Sequence, residues 1–184
     1  MKTSLLSIIM MLVSVAIMVV PVSAEEVAID FDGDGLSAGQ SIGNAYADLG
    51  VTFVGAKVVS TGNGNLGFSP VGDACTINFS PHVTSVSIDF KDDAAIGHMD
   101  GFLVNGKRIS DSKCTIFWIE RTLHIESSTQ NPIMNVQLSG DELFPCTRIK
   151  FDNLSYNQIP EFPTVALPVA AVLGLIFVFQ RRKE

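Results

Sequence analysis

From Glu25 to Asn157 the chain alternates apolar and polar residues with a period of two. Val27, Ile29 and Phe31 alternate with Ala28, Asp30 and Asp32, and Cys75, Ile77 and Phe79 repeat the pattern. Val86, Ile88 and Phe90 do so again against Ser85, Ser87 and Asp89. Successive side chains of a strand point to opposite faces, so each run predicts a strand with one buried face. Residues 121–127, 133–139 and 148–151 add further strands. Leu103-Val104 and Lys107-Arg108-Ile109 flank Asn105-Gly106. Both turn residues tolerate positive φ, which predicts a hairpin with a type I′ turn. Gly, Asn, Ser and Pro clusters, notably residues 60–67, separate the runs. Helical spacing is absent apart from a short turn around Asn44 to Leu49. About eight to ten short strands without a helical layer predict an all-β fold, an antiparallel, jelly-roll-like β-sandwich.

The parity breaks once, near the end of this region. Ile149 and Phe151 set one inward parity and Leu154 and Tyr156 the other. A β-bulge at Asp152-Asn153 accounts for the switch and would re-aim those two polar side chains. In a jelly-roll the first and last strands lie close, which brings Asp152 toward Asp30 or Asp32.

The ends are of a different kind. Met1 to Ala24 has one Lys, a long apolar run and Val22-Ser23-Ala24, the n-region, h-region and cleavage site of a signal peptide. The small-residue ending and the following Glu25-Glu26 favour cleavage over a retained anchor. At the other end, residues 158–163 form a linker and 164–180 an apolar run long enough for a short transmembrane helix. Residues 181–184 follow as a basic cytoplasmic tail, in which Arg181, Arg182 and Lys183 act as a stop-transfer cluster. The domain of residues 25–157 is thus expected outside the cell and held at a membrane.

Charge narrows the partners. The chain carries a net charge of −7, and its acidic domain argues against nucleic acid. Cys75, Cys114 and Cys146 fall in the exported part, where disulfides persist. They allow one internal pair without choosing it, and no C-x-x-C spacing supports zinc or redox chemistry. Trp118, inside an apolar run, is expected in the core.

Asp30, Asp32, Asp34 and Gly35 spell D-x-D-x-D-G, the opening of a calcium loop. Position twelve of an EF-hand counted from Asp30 is Ser41 rather than Glu, and the preceding run is a strand, so an EF-hand is excluded. Two readings stay open. In one, the three Asp with Asp152 and Asn153 supply oxygens to a structural calcium ion. In the other, Asp30 and Asp32 are the solvent face of a strand and Asp34-Gly35 is its turn.

No catalytic residue is assigned. His82, His98 and His124 are far apart, and neither H-E-x-x-H nor G-x-S-x-G occurs. Asp89, Asp92, Asp93, Asp100 and Glu120 supply carboxylates for a glycosidase pair, yet their spacing reads as solvated acids. Asn78-Phe79-Ser80 and Asn153-Leu154-Ser155 are glycosylation sequons inside strand-like runs.

Ile159 to Glu184, with Pro160-Glu161-Phe162, an apolar segment and a basic end, resembles the PEF-CTERM sorting tail of archaeal surface proteins. The resemblance implies recognition of Pro160, Glu161 and Phe162 by an archaeosortase-like membrane enzyme, which cuts there and transfers the domain to another anchor. "IDFDGDGLSAG", "YADLGVTF" and "FDNLSY" are similar to segments of the β-sandwich ectodomains of PEP-CTERM-type exported proteins. That similarity implies a jelly-roll, of a kind in which some members hold a structural calcium between terminal strands. The expectation is a non-enzymatic archaeal cell-surface module, structural or adhesive, with envelope glycan as a partner. The alternatives are a surface glycan hydrolase using a carboxylate pair and a purely structural envelope component.

Overall fold

The structure is a computed structural model and describes residues 25–32, 35–62, 64–142 and 149–159. Residues 24–159 form one compact unit. The leader, the Pro-Glu-Phe motif, the apolar segment, the basic tail, Asp34 and Cys146 lie outside the described residues. Among those described, no helix is long and apolar enough to cross a membrane.

Ten strands carry the fold: β1 (Glu25–Ile29), β2 (Val51–Val54), β3 (Ala56–Gly62), β4 (Asn65–Pro70), β5 (Ala74–Lys91), β6 (Ala94–Leu103), β7 (Arg108–Ile116), β8 (Arg121–Glu126), β9 (Ile133–Glu142) and β10 (Lys150–Gln158). All pairings are antiparallel. A single 3-10 turn at Ala47–Leu49 interrupts the β structure, where the sequence predicts a short turn.

The strands make an antiparallel β-sandwich. One layer joins β3, β4 and β1 to β10, then β10 to the second half of β5, then β8. The other joins β2 to the first half of β5, then β9, β6 and β7. Strand β5, with 18 residues, belongs to both. The sequence predicts two strands here, from the separate alternating runs 75–79 and 84–90. The ladder with β9 slips between Asn78 and Val83 instead. Cys75, Ile77 and Phe79 are buried before the slip, and Val86, Ile88 and Phe90 after it.

Between the layers the packing pairs large side chains with glycines. A Cβ on Gly97 of β6 would lie 2.8 Å from the Phe90 ring, and one on Gly101 would lie 2.4 Å from Ile125 Cδ1. An aromatic string fills one end: Phe31 meets Phe68 at 5.1 Å between ring centroids, and Phe68 stacks on Phe151 at 5.5 Å. Offset and edge contacts of this kind add to area burial.

Two expectations are corrected at turns. At Asn105-Gly106 only Gly106 has positive φ, at 79°. Gly106 N–H donates to Leu103 O at 2.9 Å and Leu103 N–H to Lys107 O at 2.9 Å. This is a longer hairpin loop in which Gly106 takes the left-handed position, not a type I′ turn. Trp118 is not in the core; it is 46 % exposed and Phe117 is 79 % exposed. Strand β7 ends at Ile116, and both aromatic residues occupy left-handed backbone, φ 54° and 59°. Ile119 N–H closes the turn on Ile116 O at 3.1 Å. The two consecutive left-handed residues foreseen at Asn105-Gly106 thus occur at Phe117-Trp118, which throws both rings outward.

Replacing Gly97 by Ala is expected to lower stability by about 1–3 kcal/mol, the usual cost of overpacking, because Phe90 is buried and has nowhere to yield. Urea unfolding of the Gly97→Ala and Gly97→Ala/Phe90→Leu proteins checks this; the second should recover part of the loss.

Candidate functional site

The last strand builds the site. Strand β10 pairs with β1 from Ile29↔Leu154 to Glu25↔Gln158, so the two ends of the domain are adjacent. Against β5 its register runs Lys150↔Lys91, Phe151↔Phe90 and Asp152↔Asp89, then resumes at Ser155↔Ser87. The slip is a β-bulge at the expected place, with Asn153 at φ 48°. Asn tolerates this conformation better than a bulky residue would. The bulge separates Asp152 and Asn153 into different surroundings.

Asp152 is 8 % exposed. Its Oδ2 accepts the Thr61 hydroxyl at 3.3 Å and its Oδ1 the Asn153 N–H at 2.9 Å. Burial pushes its carboxyl above the ordinary range. The Asn153 and Thr61 hydrogen bonds oppose that shift, as does Lys91, while the charge of Asp32 adds to it. Asp32 Oδ1 accepts Leu66 N–H at 2.6 Å.

Asn153 is exposed and lines a cleft of about 690 Å³ together with Asp30, Asp48, Ser87, Asp89 and Thr122, among others. Asp89 is fixed there by two donors, Thr122 Oγ1 at 2.6 Å and Asn153 Nδ2 at 3.1 Å. Ser87 Oγ and His124 Nδ1 are 2.6 Å apart, a consequence of their direct cross-strand pairing. The cleft is open, and its carboxylates, hydroxyls and amide alternate with the apolar Ala28, Ile29, Ala45, Leu49 and Leu154.

Of the five residues considered for calcium, Asp34 lies outside the described residues and the other four divide. Asp32 approaches Asp152, while Asp30 shares the cleft with Asn153. Among the described residues no group of three or more His, Cys, Asp or Glu is gathered as for a metal ion. Asp30 Oδ1 accepts Asp32 N–H at 3.1 Å, closing a local turn.

Of the acids considered for glycoside hydrolysis, Asp89 alone lines the cleft. Asp100 pairs with Arg108 at 2.6 Å on the other layer. Asp92 is fully buried rather than solvated, with Oδ1 accepting Asp93 N–H. His98 sits by Asp141 at 3.2 Å, away from His124. Ser87 and His124 meet, yet among the described residues no third side chain is hydrogen-bonded to the imidazole. Sequence reading did not single out this pair; the signal lay in the outward parity of residues 85–89 and 122–126. Cys75 is buried, which pushes its thiol up to about 12, and both Cys75 and Cys114 are free.

Residues 159–183 match the PEF-CTERM archaeal protein sorting domain. No curated protein matches the chain. Among solved structures, the chain is similar to a family 29 carbohydrate-binding module from Piromyces equi, at 9 % identity and a TM-score of 0.46, covering 73 % of this chain and 92 % of that one. A mutant of the module CBM29-2 complexed with cellulohexaose gives 14 % identity and 0.44, over 74 % and 92 %. A family 6 carbohydrate-binding module gives 12 % and 0.38, over 72 % and 94 %. The sugars named for those modules are theirs.

A carboxyl held above its ordinary pKa favours the protonated folded protein. The stability it contributes is complete below about pH 3.8, the unfolded value, and is lost as pH rises through the higher folded value. Asp152→Asn is therefore expected to melt above the wild type at pH 7, with the difference closing below that pH. Melting curves across pH 3 to 8 check the sign; a variant less stable at every pH would contradict it.

Proposed function

We propose that the protein is an exported module displayed on an archaeal envelope, where it binds glycan without turning it over. The sorting-domain match supports display. On this reading Pro160, Glu161 and Phe162 are recognised by an archaeosortase-like enzyme, residues 164–180 hold the chain in the membrane until then, and Arg181, Arg182 and Lys183 stop transfer. The observation that carries binding is the cleft: Asp30, Asp89, Asn153, Ser87 and Thr122 offer acceptors and donors on an open sheet face. Such a surface suits the hydroxyls of a sugar chain. It suits hydrolysis poorly, since Asp89 already accepts two protein donors.

The full chain should be retained on polysaccharide from its own envelope and should release no reducing sugar from it. Asp89→Asn and Asn153→Gly, the latter chosen to keep the left-handed backbone, should each weaken retention by roughly tenfold, the worth of one or two hydrogen bonds. Sugar release abolished by Asp89→Asn would instead establish the hydrolase.

A structural calcium ion is a second reading, favoured by the charge of Asp32 acting on the Asp152 carboxyl, with Asp34 two residues beyond Asp32 in the sequence. It calls for a wild-type melting point that excess calcium raises by several degrees, about 2.7 kcal/mol at a hundred times the dissociation constant. Asp152→Asn should lose that rise. Coincident curves in calcium and chelator would remove the ion.

A further inference from the structure

The turn between β7 and β8 is not explained by packing. Ile116, Phe117, Trp118 and Ile119 are four consecutive exposed apolar side chains. Phe117 and Trp118 hold left-handed backbone that Asn or Gly would adopt at lower cost. The connection between β5 and β6 braces them there. Phe117 N–H donates to Asp93 O at 2.7 Å and Trp118 N–H to Asp92 O at 3.0 Å. The Thr115 hydroxyl donates to Ile119 O. The fold thus holds two large aromatic residues in a strained conformation and gains no core burial from them. Strain maintained in this way is characteristic of binding sites.

We propose that Trp118, with Phe117 beside it, is the stacking platform for a neutral glycan chain whose hydroxyls are held by the adjoining cleft. The proposal rests on the glycan-binding reading above and adds the class of ligand and its anchor. Lys150 links the platform to β10, the strand that carries Asn153. Lys150 Nζ lies 5.2 Å from the Trp118 ring centroid, and Lys150 is only three residues before Asn153, about 10 Å along the strand. Thr122 of the cleft follows Trp118 by four positions. A pyranose ring combines an apolar C–H face with equatorial hydroxyls, so one chain satisfies both the indole and the polar wall. The Lys150 ammonium donates to Ser60 O at 2.8 Å and has further N–H donors beside the indole.

Other occupants fit less well. A chain of net charge −7 is repelled by anionic lipid. Four side chains are too few for a stable contact between copies, which needs about 800 Å² from each partner.

Trp118 is the single tryptophan, so its emission reports the platform directly. The full-length chain in detergent micelles would be titrated with cellohexaose, mannohexaose and oligosaccharides released from its own envelope polysaccharide. A saturable change in Trp118 emission is expected with at least one of them. Trp118→Ala should then weaken retention on the polysaccharide about tenfold or more, as for a binding hot spot. Trp118→Phe should stay within about threefold, and neither should shift the melting point, since the ring is outside the core. Wild-type affinity in Trp118→Ala, with loss in Asn153→Gly, would overturn the platform and leave the cleft reading intact. No binding of any sugar by the wild type would overturn both. An emission change with phosphatidylglycerol vesicles and none with sugars would replace the glycan by a bilayer.

Discussion

Strand β5 is hydrogen-bonded to four others, β2 and β9 along its first half and β10 and β8 along its second. A strand shared by two layers must change which face it buries, because side chains alternate strictly along it. The change occurs between Phe79 and Val86, where the ladder with β9 slips. From that point Val86, Ile88 and Phe90 face the opposite layer, and Ser85, Ser87 and Asp89 are turned toward solvent. The cleft exists because of this switch. Gly97 and Gly101 complete the arrangement from β6, leaving room for Phe90 and Ile125 where the layers meet.

The bulge in β10 does for two residues what the slip in β5 does for a layer. Asp152 and Asn153 are chain neighbours, yet one is buried beside Thr61 and Asp32 and the other reaches Asp89 across the open face. A regular strand would also place neighbours on opposite faces, but it would keep Leu154 and Tyr156 out of the core. The extra residue restores them to it. Tyr156 then donates its hydroxyl to Leu49 O at 2.6 Å, and Gln158 Nε2 to the same oxygen at 2.9 Å, tying the last strand to the 3-10 turn. Burial pushes the Tyr156 hydroxyl up to about 12. Structural and site-building roles thus share one distortion.

The surface is divided in the same sense. Its polar character follows from the outward parity of β5, β8 and β10, whereas its aromatic character comes from a turn. The turn is braced by carbonyls of Asp92 and Asp93, residues whose own positions are set by the end of β5. Cleft and aromatic turn therefore hang from the same strand, and on the proposed reading they serve the same ligand.

The sequence by itself determined the class of fold, because a period of two with polar punctuation has only β solutions. It also located the bulge, since a parity switch between Phe151 and Leu154 can be read without coordinates, and it marked the sorting tail by three adjacent features in order. Tertiary structure decided what local pattern cannot carry. Phe117-Trp118 forms a tight turn without Gly, Asn or Pro, and it holds only because a distant loop supplies two carbonyls. The runs 75–79 and 84–90 look like two strands, yet pairing on both sides carries one strand through both. Asp152 and Asn153, adjacent in the chain, enter different surroundings, because which side of a bulge a side chain occupies depends on the strand beside it. Ser87 and His124 meet through register alone, and register is a property of two strands, never of one.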